Sequence, residues 1–174
     1  GYLFDPEEAQ EAFQQAAEYA KMHNVKVAFT LSDAFCVERH REKMKEFVKN
    51  NVDILFSNEG EIKSLYETDI IEDAYKFLKD DVEIGIVTQG EEGAAIIEQT
   101  AIHKIEAFST NVVDTTGAGD FFAAGFLAGL SKNLDLMKAG VLGAACSSEI
   151  ISHYGGRPEK NLKEYIKNKA GLIV

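Results

Sequence analysis

The sequence predicts an α/β protein built on a mainly parallel, Rossmann-like sheet with a β-hairpin. Three observations carry this. Short, mostly apolar runs at residues 25–31, 52–56 and 84–88 have the length and composition of buried strands. Longer stretches between them place apolar residues at helical spacing, so strand and helix alternate as βαβ units require. After Thr88 the alternation gives way to two short strand-like runs and then to a helical remainder.

In chain order, Pro6 suits a helix start, because its missing N–H has no helical partner there. Ala9, Phe13, Ala16, Ala17 and Ala20 then share one face, and Asn24 ends the helix. Residues 25–31 read as a buried parallel strand. Ser32-Asp33 turns the chain into a helix over about 37–50. The strand at 52–56 runs into Ser57-Asn58-Glu59-Gly60-Glu61, and helices follow near 61–66 and 72–79. Ile84 to Thr88 is the third strand. Gly90 and Gly93 flank a turn, and residues 94–98 and 102–105 form the hairpin. Residues 107–113 lead into a glycine-rich turn, after which 121–130, 134–153 and 162–169 are helical. No internal repeat, low-complexity tract or linker interrupts residues 1–174, which are expected to form a single domain.

Composition bounds the partners. Hydrophobic residues make up 45% and charged residues 27%, ordinary for a globular protein with a sizeable core. Lys plus Arg number 18 against 29 Asp plus Glu, a net charge of −11. That balance disfavours nucleic acid and an anionic membrane as the main partner, though a phosphorylated small molecule still fits locally. No apolar run approaches the length of a membrane span and no signal-peptide pattern leads the chain. Cys36 and Cys146 read as buried free thiols of a reducing compartment, so a cytoplasmic protein is expected. None of the four histidines has a partner at metal-ligand spacing; His40 and His103 read as surface residues. The chain opens Gly1-Tyr2-Leu3-Phe4 without an initiator Met, and Tyr2-Leu3-Phe4 reads as the end of a buried strand. It is expected to be the middle of something longer.

The chemistry concentrates in Asp114-Thr115-Thr116-Gly117-Ala118-Gly119-Asp120. A helix's first turn carries N–H groups without helical partners, a natural anion site. Glycines there remove side chains that would hold a phosphate away, and Asp120 places a carboxylate beside it. The same residues also fit an ordinary helix cap. Asn58 and Glu61 follow the second strand as N-x-x-E, and Thr88-x-Gly90-x-x-Gly93 follows the third. Each, alone, also fits a bland reading, a helix N-terminus and a hairpin turn. Ligands of open parallel sheets bind beyond the carboxyl ends of the strands, where all three clusters are expected. In a phosphoryl transfer, the N–H groups of Gly117, Ala118, Gly119 and Asp120 would neutralise charge and Asp120 would take the hydroxyl proton. Glu61, through water, would hold a Mg²⁺ brought by a triphosphate, and Asn58 would donate to a phosphate oxygen.

Taken together, Asp114–Asp120 with Asn58-x-x-Glu61 and Thr88-x-Gly90-x-x-Gly93 resembles the PfkB (ribokinase-like) carbohydrate and nucleoside kinases over essentially the whole chain. The resemblance implies a ribokinase-like three-layer αβα fold whose N-terminal part and lid are missing. Residues 1–174 would then be the C-terminal, ATP-binding and catalytic portion of the kinase domain. It further implies transfer of phosphate from ATP to a primary hydroxyl, with Mg²⁺ and often a stimulating K⁺. By resemblance, Asp120 is the base and Gly117, Ala118 and Gly119 the anion hole. Asn58 and Glu61 form the phosphate and Mg²⁺ element, and Thr88, Gly90 and Gly93 the nucleotide turn. Asp114 and Thr116 lie where the monovalent cation is held, with carbonyls near Ile151, Tyr154 and Gly156. Ala144 and Cys146 lie where the ATP base is covered.

Residues 32–41 and 151–158 resemble bacterial adenosine kinases more than ribokinases or fructokinases, so adenosine is the expected acceptor and a sugar the alternative. The family's lid, Gly-Gly element and substrate-gripping acid have no counterpart here. The chain alone is therefore expected to be inactive or nearly so, and a homodimer is an arrangement open to the full-length protein. A nucleotide-binding module without catalysis is a further alternative, against which an intact Asp120 speaks. A dinucleotide-dependent oxidoreductase would need its glycines directly after the first strand of a βαβ unit, and they are not there.

Overall fold

The alternation of strand and helix persists through Thr88 in the computed structural model, which describes residues 1–173. Helices α1 (Glu7–Met22), α2 (Ala34–Asn51), α3 (Glu59–Tyr66), α4 (Ile71–Asp81), α5 (Ala118–Ser131), α6 (Leu136–Ile150) and α7 (Leu162–Ala170) accompany five strands. These are β1 (Ala28–Thr30), β2 (Ile54–Asn58), β3 (Ile84–Thr88), β4 (Ala94–Glu98) and β5 (Ile102–Ile105). They form one sheet in the order β1-β2-β3-β4-β5, with β1 and β2 parallel and Phe29 opposite Leu55. The α/β class is as expected. The chain divides into two compact units, Gly1–Val87 with Ile97–Ile102, and Thr88–Ile96 with His103–Val174.

In the first unit, α1 starts after Pro6 with Glu7 and Glu8 in its first turn and Lys21 in its last, both matched to the helix dipole. Its inner face meets a cluster of aromatic rings. Phe4, Phe13, Phe29 and Phe47 lie with centroids 5.5–5.9 Å apart, in the tilted and edge-on arrangements aromatic pairs favour. Asp33 caps α2 by accepting from the Cys36 N–H at 3.3 Å.

Several details correct the sequence reading. Tyr2-Leu3-Phe4 is a single 3₁₀ turn, not a strand end, with Tyr2 and Leu3 exposed and only Phe4 buried. The first strand is three residues long and lies at the sheet edge, so Ala28 and Thr30 are exposed and only Phe29 is buried. Val25 is outside it and 59% exposed. His40 interrupts the helical backbone of α2, and its ring meets Asp5 at 2.8 Å instead of standing free at the surface.

In the second unit, α5 and α6 approach closely through small residues. A Cβ on Gly125 would come within 2.8 Å of the Gly143 Cα, so the glycine's helix-propensity cost of about 1 kcal/mol secures contact between the two backbones. Helix α6 is buried on almost every side, from Ala139 and Gly140 through Leu142–Cys146 to Ser148–Ile150. Leu142, Ala145 and Cys146 form a core cluster with Ile166 of α7. Among the described residues, no helix is long and apolar enough to cross a membrane.

Candidate functional site

Asn58 and Glu61 sit in the first unit at the carboxyl end of β2, where strand turns into α3. They form a reciprocal capping box. The Glu61 N–H donates to Asn58 Oδ1 at 2.8 Å, while Glu61 Oε2 accepts from the Asn58 N–H at 3.0 Å and Oε1 from its amide at 2.7 Å. Glu61 is only 6% exposed. Burial pushes its carboxyl pKa above the ordinary value, and the Asn58 backbone donor opposes that shift. The helix-cap reading of N-x-x-E is therefore realised, and it fixes the carboxylate in place.

Thr88 ends β3 and opens a 3₁₀ turn over Gly90–Glu92. The Gln89 N–H donates to the Gly93 carbonyl at 2.8 Å and the Gly93 N–H to the Gly90 carbonyl at 3.1 Å. Gly90 and Gly93 have φ of 60° and 92°, the left-handed region that favours glycine. This turn forms one wall of a cavity of about 560 Å³ within the second unit. Ala118 and Gly119 of α5 and Ala144 of α6 line the same cavity, so Thr88, Gly90, Gly93, Ala118, Gly119 and Ala144 converge.

Cys146 does not join them. It is 5% exposed within the α6–α7 cluster, and burial lifts its thiol pKa to about 11. Ser147 and Ser148 take the place expected for it, one helical turn beyond Ala144. Phe108, Ser109 and Thr110, which carry no motif, close another side; the Ser109 carbonyl is held by Lys169 Nζ at 2.8 Å.

The Asp114–Asp120 turn is ordered by its first residue. Asp114 Oδ1 accepts from the Thr116 N–H at 2.9 Å and hydroxyl at 2.7 Å, and Oδ2 from the Gly155 N–H at 3.3 Å. These donors hold its carboxyl below the usual range, the Thr116 backbone first. Gly117, at φ 80°, is the N-cap of α5. The N–H groups of Gly119 and Asp120 fall in the first helical turn, where no intrahelical acceptor exists. A Cβ built on Gly119 meets no atom within 4 Å. Asp120 is exposed in that same turn, with the positive end of the helix dipole behind it. Such a terminus can bind an anion, and its carboxylate can accept a proton from a group placed beside that anion.

The model of the pfkB carbohydrate kinase family matches residues 1–162. A probable sugar kinase from Rhizobium etli superposes with a TM-score of 0.95 at 41% identity, over 99% of this chain and 52% of that one. An adenosine kinase from Sinorhizobium meliloti gives 0.92 at 37% identity, over 96% of this chain and 52% of that one. A ribokinase from Arabidopsis thaliana, solved with ribose and ATP, shares the fold at 0.73 and 23% identity, over 91% of this chain and 52% of that one. The ribokinase-like fold expected from the sequence is thus present. The chain spans about half the length, or less, of the curated relatives it matches.

Proposed function

This chain belongs to the pfkB family of carbohydrate kinases, and from that premise we propose that it carries the phosphate-donor side and the base of an ATP-dependent sugar or nucleoside kinase. The observation that carries the reading is the α5 terminus: a turn ordered by Asp114, open space at Gly119, and Asp120 in the first turn. The N–H groups of Gly117, Gly119 and Asp120 receive the negative charge of the transferring group, and Asp120 accepts the acceptor's hydroxyl proton. The Ala118 N–H, expected to join them, is taken by the Thr115 carbonyl at 3.1 Å. The cavity walled by Thr88, Gly90, Gly93 and Ala144 takes the nucleotide.

Magnesium, when bound with the triphosphate, neutralises phosphate charge. Glu61 fits as its holder: it is buried and aimed by Asn58, and Mg²⁺ keeps several waters and needs few carboxylates. Among the described residues there is no cluster of three or more His, Cys, Asp or Glu that could hold a metal ion. Asp114 and Thr116 fit a monovalent cation less well. Asp114 Oδ1 and the Ile151 carbonyl each already accept two donors, and Asp114 Oδ2 accepts one, from the Gly155 N–H.

The acceptor we propose is adenosine, supported by the likeness to the Sinorhizobium meliloti adenosine kinase and by residues 32–41 and 151–158. The likeness to the Rhizobium etli sugar kinase supports a sugar as the second reading. The test is an assay of the complete protein with Mg·ATP against adenosine, ribose and fructose, alongside Asp120→Asn. Asp120→Asn should leave ATP binding nearly intact and cut turnover by about 10²- to 10⁴-fold. Turnover that survives the change removes Asp120 as base. The 174-residue chain alone is expected to be inactive with any of the three acceptors. Measurable phosphorylation by it would show that the acceptor pocket lies within these residues.

A further inference from the structure

Glu149, in the last turn of α6, is completely buried. A carboxylate in such a place is costly unless something holds it. Its Oε1 accepts from the backbone N–H of Lys160 at 3.1 Å, and His153 Nε2, one helical turn on, lies 3.3 Å from the same oxygen. Its backbone carbonyl accepts from the Ser152 N–H at 3.1 Å and hydroxyl at 2.7 Å. One residue thus grips both ends of the 151–160 segment, which contains no helix or strand.

The middle of that segment touches the anion turn. The Ile151 carbonyl accepts from the N–H groups of Val113 at 2.8 Å and Asp114 at 3.4 Å. The Gly155 N–H donates to Asp114 Oδ2, and Gly156 Cα stands 3.7 Å from the place a Gly117 Cβ would occupy. A buried acid, a loop and the turn therefore form one continuous set of contacts inside the second unit.

We propose that Glu149 is a positioning residue that holds the 151–160 loop against Asp114 and so sets the direction of the N–H groups at the start of α5. What the turn does rests on the phosphotransfer reading above; how it is held does not. Gln at 149 keeps a carbonyl oxygen as acceptor for the Lys160 N–H, whereas Leu offers none.

The complete protein is compared with its Glu149→Gln and Glu149→Leu variants by Mg·ATP calorimetry and by peptide-resolved amide hydrogen exchange. With Glu149→Leu, exchange over 113–120 should quicken, exchange over 28–58 should not, and the Mg·ATP dissociation constant should rise about tenfold. Glu149→Gln should recover most of that loss. Unchanged affinity and exchange at 113–120 with Leu, faster exchange everywhere, or a loss as large with Gln would each overturn the proposal. Should Glu149→Leu not fold, Lys160→Pro removes the partner N–H instead, and undisturbed exchange over 113–120 then refutes it. A wild-type protein that binds no Mg·ATP overturns the phosphotransfer reading, while the exchange comparison still decides the role of Glu149.

Discussion

Gly93 turns its bare Cα toward the carbonyl oxygen of Ile105, which lies 1.9 Å from where a Cβ would stand. Backbone cannot yield there as a flexible side chain would, and φ of 92° adds strain for any L side chain. Gly93→Ala is expected to destabilise the protein by about 3 kcal/mol or more, visible as a lowered urea midpoint. Gly90, at φ 60° with nothing within 4 Å, meets no such wall. Gly90→Ala should cost only about 1 kcal/mol.

Glu61 and Asp114 should give stability opposite slopes with pH. Burial raises the Glu61 pKa above 4.5. As pH rises past 4.5 the unfolded chain ionises first, so this group's contribution falls through the window up to its folded pKa. Glu61→Gln should abolish that decline in denaturation midpoints measured across pH. Asp114 is held below 3.8 by Thr116 and Gly155 donors. Its contribution is complete above 3.8 and is lost as pH falls through the folded value, so Asp114→Asn should flatten only the acid limb. The cap itself is tested by Asn58→Ala, expected to cost about 1 kcal/mol.

How legible each element was follows from how local its cause is. Strands β3, β4 and β5 occupy the residues read from the sequence, because their apolar runs are bounded by Gly, Thr and Glu-Gln-Thr breaks. Strand β1 was overextended, since Val25 and Val27 look apolar in sequence while an edge position leaves its flanks in water. The glycine turn was legible because glycine and acid act on backbone within seven residues. The α6 wall was not. A helix buried on nearly every side shows no polar face, so nothing in the sequence distinguished Cys146 from Ser147 and Ser148 as the cavity lining. Phe108–Thr110 carry no motif, and only tertiary packing gives them a role.

Both cysteines should be inert in the native protein. Burial raises each thiol, Cys146 to about 11, so thiolate, the reactive form, is scarce at pH 8. A thiol-specific chromogenic reagent should register almost none in native protein and both after guanidinium. Rapid native reaction of Cys146 would show that the α6–α7 cluster opens far more often than its packing implies.

Gly119 offers a separation of fold from function that few positions allow. It is the second residue of α5, its φ is not in the left-handed region, and a Cβ there meets no atom of the protein within 4 Å. Alanine is the better helix former, by up to about 1 kcal/mol in a helix interior and less in the first turn. Gly119→Ala should therefore leave the melting temperature unchanged or raise it slightly. The same methyl would stand on the cavity wall that a phosphate must approach to reach the α5 N–H groups. Phosphoryl transfer by the complete protein should then drop, on the order of 10²-fold if the anion is displaced from one donor. A variant with both stability and turnover intact would mean that the phosphate does not approach α5 at Gly119, and that the open space there serves the fold alone.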